Sequence, residues 1–504
     1  MRIPKIVGIE QEYGILDADD SESNPVTNSF LIVNSYRIKM NMIWDYVQES
    51  PMTDARGFIR EGNEIDIPDY DNARINNILE NGARFYVDHA HPEYSTPECT
   101  NAYDLVACDK AGELTLIECQ KRIREKFDGK KILIYKNNSD NKGNSYGCHE
   151  NYLMTRDCYV EIFENNHEPT EKVESLLIPF FVTRQIVCGA GKVGHEWKSE
   201  PVDYQISQRA DFFEMLIDTN TTHQRPIINT RDEAHADRKR FRRLHVIAGD
   251  ANMSEYSTYL KVGTTQLILL MLEENFINTG FSLKDPVKAI KDVSRDLTCK
   301  KKLQLKDGSY LTPVDIQREF LNSAKEFVKT LDASEIGIYP DIIEKWEFVL
   351  DALSEDPMIL KDKIDWVIKK NLLERYMDKK GWNWKTPQIM MMSIIYHDID
   401  RNSGLFNILD REGEITRIIE DESIIRNYMV NAPEDTRAYF RSKALKIYSD
   451  NITSLNWDRV RFDIGENKLK TIPLKNPLKG TKALVDGLFE EHLNIRDFIK
   501  KLGG

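Results

Sequence analysis

The order in which hydrophobic periodicities follow one another is the feature of this chain that most restricts its fold. Residues 1–270 alternate short strand-like runs with turns rich in Gly, Asn and Asp, whereas residues 264–430 repeat apolar residues at intervals of three and four. This helical period is clear in TTQLILLMLEENFI, PVDIQREFLNSAKEFVKTL, IIEKWEFVLDALSE and KIDWVIKKNLLERYM. Strands first and helices afterwards predict an α+β fold.

The pattern changes again after residue 430. RVRFDIG and KLKTIPL are typical of short strands, and LVDGLFEEHLNIRDFIKKL predicts one last helix. We therefore predict two units, a large domain over residues 1–429 and a small C-terminal domain over residues 430–504.

Composition excludes several classes of protein. The formal charge of −13 disfavours nonspecific nucleic-acid binding. The seven cysteines include no CxxC pair, which argues against a zinc ribbon or a disulfide framework and favours a reducing compartment. No run approaches the ~20 apolar residues of a membrane span, and Glu10 interrupts the N-terminal apolar stretch too early for a signal peptide. We expect a cytoplasmic protein with no membrane segment and no nucleic-acid partner.

The segment IVGIEQEYGI at residues 6–15 predicts a strand with one acidic face. Its period of two separates Gly8, Glu10, Glu12 and Gly14 from Val7, Ile9, Tyr13 and Ile15. Paired glutamates beside glycines suit Mg²⁺, which takes oxygen ligands and often bridges to phosphates. The alternative is an exposed strand face whose glutamates point at water.

The segment RFYVDHAHPEYSTPE at residues 84–98 also predicts a strand with one polar face. A strand here places Arg84, Tyr86 and Asp88 on one face and two apolar residues on the other, and we expect Glu93 and Glu98 to follow on the turn after the proline. One strand thus offers a cation, a phenol and a carboxylate in line. The HAH sequence at residues 89–91 is also similar to the HxH of metal-dependent hydrolases, which keeps such a hydrolase as an alternative.

Two further polar segments carry candidate ligands. YKNNSDNKGNSYGCHENYL places His149 and Asn151 on one face, and RPIINTRDEAHADRKRFRRLHVIAGD contributes Arg231, Arg243 and His245. The basic run at residues 238–243 fits a solvated helix face. Its closeness in sequence to Arg231 and His245 leaves an anion-binding role open.

Several of these segments together resemble one known family. GIEQEYG, NGARFYVDHAHPEYSTPEC, YKNNSDNKGNSYGCHENYL, VTRQIVCGAGKV, IINTRDEAHAD and RRLHVIAGDANMSE are similar, in order and over nearly the whole chain, to blocks of the family of Pup ligases and depupylases. That family is similar in fold to glutamine synthetase and other carboxylate-amine ligases. The resemblance implies a glutamine synthetase-like antiparallel sheet packed with helices in residues 1–429, the catalytic domain.

Within the family, WDYVQESPMTDARGF with the insertion that follows it, YVDHAHPEYS and APEDTRAYFR resemble depupylases. This implies a deamidase and isopeptidase that converts the C-terminal Gln of Pup or a Pup-like modifier to Glu and cleaves bonds between the tag and lysines. It implies Mg²⁺ and ATP, or ADP plus phosphate, as cofactors, and a link to a bacterial proteasome. An ATP-dependent ligase and a noncatalytic tag-binding protein are the alternatives.

The resemblance also assigns residues. Asp88 matches the catalytic carboxylate, acting either as nucleophile or as base. The other matches are the metal positions Glu10, Tyr86 and Glu93, with Glu12, His149 and His245 completing the cradle, and the nucleotide positions Arg84, Thr96 and Trp457, with Arg231 on phosphate. The insertion at residues 59–77 is expected to be a loop that gates the active site or a solvated excursion.

Overall fold

The structure is a computed structural model that describes residues 2–20, 22–38, 42–46, 49–57, 59, 76–163, 169–197, 199–277 and 280–503. The predicted loop at residues 59–77 lies, from 60 to 75, outside the described residues. Its last two positions, Asn76 and Asn77, belong to a strand.

Strands concentrate in the first half of the chain. In the described residues they are β1 (Val7–Glu12), β2 (Gly14–Asp17), β3 (Ile43–Trp44), β4 (Asn76–Ile78), β5 (Arg84–Asp88), β6 (His91–Ser95), β7 (Ile132–Tyr135), β8 (Cys148–Thr155), β9 (Lys192–Val193), β10 (Tyr204–Gln205), β11 (Phe213–Asp218), β12 (Arg225–Asn229), β13 (Phe241–Val246), β14 (Leu303–Gln304), β15 (Tyr310–Leu311), β16 (Ile452–Asn456), β17 (Arg459–Phe462) and β18 (Lys470–Pro473).

Helices dominate from residue 255 onwards. The α-helices of the described residues are α1 (Pro25–Asn34), α2 (Ala102–Lys126), α3 (Arg156–Phe163), α4 (Ile178–Cys188), α5 (Glu255–Glu273), α6 (Pro286–Arg295), α7 (Pro313–Val328), α8 (Tyr339–Glu355), α9 (Asp365–Lys380), α10 (Pro387–Ile395), α11 (Leu405–Arg411), α12 (Glu422–Tyr428), α13 (Ala438–Tyr448), α14 (Lys482–Glu490) and α15 (Ile495–Lys501). No helix among the described residues is both long and apolar enough to cross a membrane.

A six-stranded sheet in the order β13-β8-β1-β6-β5-β4 forms the centre of the fold. Every neighbouring pair in it is antiparallel. Along β1, Val7, Ile9 and Gln11 are buried while Glu10 and Glu12 are partly accessible, as the period of two predicts. The predicted α+β fold, an antiparallel sheet packed with helices, is confirmed.

The apolar face of this sheet packs against α2 and α5. Val7 and Ile9 join one large hydrophobic cluster with Leu105 of α2 and Leu260 of α5. Helix α2 is 25 residues long and was not predicted, because buried residues occupy consecutive positions around its axis and leave no amphipathic stripe. The helices predicted within residues 264–430 are confirmed, with α5 beginning at Glu255.

The C-terminal residues contribute to a second sheet and a second hydrophobic cluster, and we call residues 430–504 the C-terminal unit. Strands β16 to β18 and β3 form a four-stranded sheet, and a separate hydrophobic cluster unites Phe440, Phe462 and Phe498 with Trp44 and Ile78. Because that cluster includes residues from the N-terminal part, the domain boundary at 430 stays a prediction. The prediction of a single last helix is wrong: the segment forms two helices, α14 and α15, and the helix is interrupted between them, where His492 has a φ of 50°.

Candidate functional site

One face of the central sheet collects most of the predicted site residues. The register places Glu10 of β1 beside His149 of β8, and Glu12 beside Glu93 of β6. Glu93 in turn lies beside Tyr86 of β5. Side chains alternate between the two faces along a strand, so residues two apart in one strand share a face. Residues paired directly across neighbouring strands share that face as well. The polar faces predicted separately for residues 6–15 and 84–88 are therefore one surface.

Glu10, His149 and His245 form the first group of possible metal ligands, with one ligand atom from each within 4.8 Å of the others. Asn151 orients the group, because its amide donates to Glu10 Oε1 at 2.9 Å while its carbonyl oxygen accepts from His245 Nδ1 at 2.9 Å. This leaves His245 Nε2 buried with no hydrogen-bond partner among the described residues. An imidazole held by one nitrogen with the other free and buried is the arrangement found for metal-ligating histidines.

Glu12, Asp88 and Glu93 form the second group, again within 4.8 Å of one another. The Tyr86 hydroxyl donates a hydrogen bond to Glu93. Burial, together with the charges of Asp88, Glu10 and Glu12, raises the pKa of Glu93 well above its ordinary value. Three carboxylates crowded in this way repel one another, and a divalent cation with oxygen ligands would relieve that repulsion.

Asp88 lies at the rim of the sheet, where β5 ends. The strands β5 and β6 are joined by a two-residue turn in which His89 adopts a left-handed φ of 51°. The Asp88 side chain is 41% exposed, and its Oδ2 lies 3.0 Å from His89 Nδ1. Burial opposes ionisation, but His89, His149 and Arg84 outweigh it and lower the pKa of Asp88. The structure thus presents an ionised, accessible carboxylate.

The turn itself corrects one prediction. Glu93 does not follow on a turn after Pro92, because the turn comes earlier, at His89 and Ala90, and Glu93 lies within β6. The two histidines of the HAH sequence also separate. His91 Nδ1 lies 3.3 Å from Glu12 Oε2, whereas His89 is directed at Asp88. Neither histidine belongs to a three-residue ligand group within the described residues.

Arg84 is held in an aromatic sandwich. Its guanidinium carbon lies 3.8 Å from the ring centroid of Tyr86 and 4.2 Å from that of Trp44. Its Nε donates to Asn76 Oδ1 at 2.8 Å, and its Nη2 to the Tyr46 hydroxyl at 3.1 Å. Trp44, Tyr46 and Asn76 were not predicted as site residues. Trp44 and Tyr46 belong to the WDY sequence, whose aromatic residues are the signal that could have found them; Asn76 carries no such signal.

Thr96 and Trp457 line one pocket beside Glu10, together with Gly8 and Arg437. The Thr96 hydroxyl accepts from the Ile9 amide at 3.0 Å, which ties β1 to the segment that follows β6. Trp457 reaches the pocket from the C-terminal unit. Two residues 361 positions apart, predicted from separate segments, therefore meet at one pocket.

Arg231 and Arg243 supply positive charge on the β13 side. Arg243 belongs to β13 and its Nη1 lies 3.7 Å from Glu10 Oε1, so the solvated helix face predicted for residues 238–243 is wrong there. The Nε of Arg231 is buried without a hydrogen-bond partner among the described residues. Burial and the charge of Arg243 lower the pKa of His245 well below its ordinary value, which keeps that imidazole neutral and able to bind a metal.

Comparisons with known proteins identify relatives of this chain. A family model described as Pup-ligase protein matches residues 5–461. A depupylase from Acidothermus cellulolyticus is 43% identical over 99% of both chains, and a Pup deamidase/depupylase from Mycolicibacterium smegmatis is 40% identical over 99% of both.

Two solved structures show the same fold. The complex between the prokaryotic ubiquitin-like protein Pup and its ligase PafA matches with a TM-score of 0.78 and 32% identity, over 97% of this chain and 91% of that chain. The ligase PafA in complex with ADP matches with a TM-score of 0.72 and 32% identity, over 89% of this chain and 98% of that chain.

Proposed function

We propose a function from one premise: the chain belongs to the Pup-ligase protein family. The protein is a deamidase and isopeptidase that acts on Pup or a Pup-like modifier. It hydrolyses the side-chain amide of the modifier's C-terminal Gln to Glu, and it cleaves the bond between that Glu side chain and a substrate lysine. The partners are therefore the modifier and the proteins that carry it, with a link to a bacterial proteasome.

The position of Asp88 carries this proposal. Its carboxylate is ionised and accessible at the rim of the sheet, next to Glu12 and Glu93. Such a carboxylate can attack a carbonyl carbon or take a proton from water. A residue with these properties suits hydrolysis of an amide whose acyl side enters from solvent.

The residues present fit a Mg²⁺-nucleotide cofactor. Among the described residues, His245 Nε2 and Arg231 Nε have no hydrogen-bond partner, so the former, with the crowded carboxylates, is suited to cations and the latter to a phosphate oxygen. We assign Glu10, His149 and His245 to one metal position, and Glu12 and Glu93 to a second, with Tyr86 bonded to Glu93. Thr96, Trp457 and Arg84 would contact the nucleotide, ATP or ADP with phosphate. The cofactor would supply positive charge and phosphate oxygens at the reacting carbonyl.

The reaction balances without net use of the nucleotide. In deamidation the amide C–N bond breaks, a C–O bond forms with oxygen from water, and ammonia leaves. In isopeptide cleavage the leaving group is the lysine amine. Asp88 either forms the new C–O bond itself before water replaces it or removes the proton from water, and nearby cations stabilise the negative charge that develops on the carbonyl oxygen.

A cytoplasmic location is part of the proposal. The seven cysteines are all free and buried, as expected in a reducing compartment.

A Pup-type ligase is the second candidate, because the two structural relatives described above are ligases. A ligase consumes one ATP for each bond that it forms, whereas the hydrolase consumes none. Counting ADP released for each lysine bond cleaved or formed separates the two. A noncatalytic tag-binding protein would turn over neither.

The decisive experiment is Asp88→Asn in the full chain. Asparagine keeps the shape and removes the charge, so we expect deamidation and cleavage to fall by about a thousandfold or more, as on loss of a nucleophile or base. Binding of Mg-ADP should persist. Near-normal turnover by this variant would refute the assignment of Asp88.

A further inference from the structure

An ionic clamp at the wall of the pocket ties the catalytic sheet to the C-terminal unit. Glu98 follows β6, and its carboxylate accepts hydrogen bonds from Arg437 Nε at 2.7 Å and Arg441 Nη2 at 2.5 Å. The two arginine side chains are 4% and 0% exposed, and that of Glu98 is 13% exposed. These three residues were not predicted to act together. We call them the Glu98 clamp.

Both arginines also donate hydrogen bonds to backbone carbonyls, some in the N-terminal part of the chain and others in the C-terminal unit. Arg437 Nη1 donates to His235 O at 2.7 Å and to Leu474 O at 2.9 Å. Arg441 Nε donates to Gly82 O at 3.1 Å. The clamp therefore joins the sheet, the segment before β13 and the C-terminal unit at one point. The hydrogen bonds of the two arginines to Glu98 and to these carbonyls fix its geometry.

Arg441 touches Trp457 as well as Glu98. Its guanidinium carbon lies 4.9 Å from the Trp457 ring centroid, and its Nη1 lies 3.3 Å from the Trp457 carbonyl oxygen. Both the ring and the backbone of Trp457 thus rest on one buried cation. Glu98, two residues after Thr96, lines the same pocket as Thr96 and Trp457.

A second contact, with Trp44, also holds the Trp457 ring. Trp44 meets Trp457 edge to face, with 5.2 Å between ring centroids. The Trp44 indole nitrogen donates to Glu49 at 2.7 Å, which fixes its ring. Trp457 is only partly buried, so its contacts with Arg441 and Trp44 set its position at the pocket wall.

We propose that Glu98, Arg437 and Arg441 are positioning residues that hold Trp457 against the nucleotide, so that nucleotide affinity depends on the clamp. The inference rests on the proposed function, since that function assigns the pocket to the nucleotide. It makes the C-terminal unit part of the nucleotide site. A clamp with a structural role alone would affect stability and leave affinity unchanged.

The test is a double-mutant cycle on the full chain, with Mg-ADP binding measured by calorimetry. The variants are Arg441→Met, Trp457→Leu and the two combined. Each single change should weaken binding about tenfold. Because both act through the same contact, the combined variant should bind no more than about threefold worse than the weaker single variant.

Two further variants separate positioning from folding. Arg441→Met keeps the pair between Glu98 and Arg437 and should lower the melting temperature by less than Glu98→Gln with Arg441→Met, which leaves Arg437 buried without its carboxylate. Affinity should stay low in this pair because Trp457 remains unsupported. Arg295→Met is the matched control: it breaks the partly buried bond from Arg295 Nη2 to Asp211 Oδ1 (2.5 Å), outside the pocket, and should lower stability without changing affinity.

The outcomes distinguish the two hypotheses. If the wild-type chain binds no Mg-ADP, the proposed cofactor and this inference both fail. If wild type binds and folded Arg441→Met, alone or with Glu98→Gln, binds equally well, only the positioning role is overturned. Losses from Arg441→Met and Trp457→Leu that multiply in full in the combined variant would also overturn it.

Discussion

Replacing Glu93 by Gln should stabilise the metal-free protein and weaken its binding of Mg²⁺. Glu93 is 3% exposed and lies in a group with Glu12 and Asp88 whose ligand oxygens are within 4.8 Å of one another. Gln keeps the volume of the side chain and an oxygen that can accept from Tyr86, while it removes one of the crowded charges. Stability and metal binding change in opposite directions because the charge of Glu93 repels its neighbours when no metal is present and attracts Mg²⁺ when the metal is bound.

Two arguments bound the size of the effect. At an effective dielectric constant of about 20, charges 4.8 Å apart repel by roughly 3.5 kcal/mol for each pair. The carboxyl can escape that repulsion by taking up a proton, and from its reference pKa of 4.5 this costs roughly 3.4 kcal/mol at pH 7. Since water at the rim screens the repulsion, we expect a gain of about 1–3 kcal/mol, or a few degrees in Tm.

The pH dependence follows from the raised pKa of Glu93. Above the ordinary pKa of a glutamate the unfolded chain loses this proton first, while the folded protein keeps it. The folded state then binds more protons, so the stability of the metal-free protein falls as pH rises from there towards the raised pKa. Glu93→Gln should flatten this slope.

The assay is thermal unfolding in EDTA and in excess Mg²⁺ between pH 4 and 8. Glu98→Gln is the matched control, five residues further on. Burial disfavours the Glu98 charge, but Arg441 and Arg437 outweigh it and lower the pKa to about 2. The charge of Glu98 therefore stabilises above the ordinary pKa, by about 3 kcal/mol, and this stability is lost as pH falls through about 2. Glu98→Gln should thus lower Tm.

A metal-free Glu93→Gln protein that melts below wild type, or that gains as much Tm from Mg²⁺ as wild type does, would refute the electrostatic account.

Three other substitutions test separate parts of the site and fold. Glu10→Ala removes a ligand from the group with His245 and should weaken Mg-nucleotide binding at least tenfold in calorimetry; unchanged affinity would remove Glu10 from the site. Arg231→Met should raise the Kd for Mg-ADP severalfold in calorimetry with Tm unchanged, and an unchanged Kd would exclude a phosphate contact. Gly112→Ala places a methyl carbon 2.5 Å from the Tyr94 ring, which should cost about 1–3 kcal/mol of stability; a Tm equal to that of wild type would show that the ring can move.

The strand faces of the site could be predicted because they depend only on local alternation. Glu10 and Glu12 share a face of β1, and Tyr86 and Asp88 share a face of β5, as the period of two requires. The same rule cannot say which strands are neighbours, because register depends on contacts between distant segments. That Glu12 and Asp88 belong to one group therefore emerges only from the folded sheet.

Residues that act across long sequence separations could not be predicted. Trp44 stacks on Arg84 from 40 positions away, and Arg441 reaches Glu98 from 343 positions away. Neither contact leaves a periodic signal in the sequence. The turn at His89 was misplaced for a related reason: the proline suggested a break after it, whereas Pro92 lies inside β6 and its carbonyl accepts from the Tyr13 amide.

The charges along the site face are sorted by position, and this order connects the two halves of the proposed chemistry. Cations lie on both sides of Glu10 in the sheet: Arg243 of β13 has its Nη1 3.7 Å from Glu10 Oε1, and Arg84 of β5 is paired with Ser95, the residue that also pairs with Glu10. Carboxylates cluster at one end of the face, where Glu12, Glu93 and Asp88 meet. Because phosphates are drawn to cations and metal ions to carboxylates, residues of both kinds would hold the proposed Mg-nucleotide. Asp88, at the acidic end and open to solvent, is then the group that an incoming amide meets first.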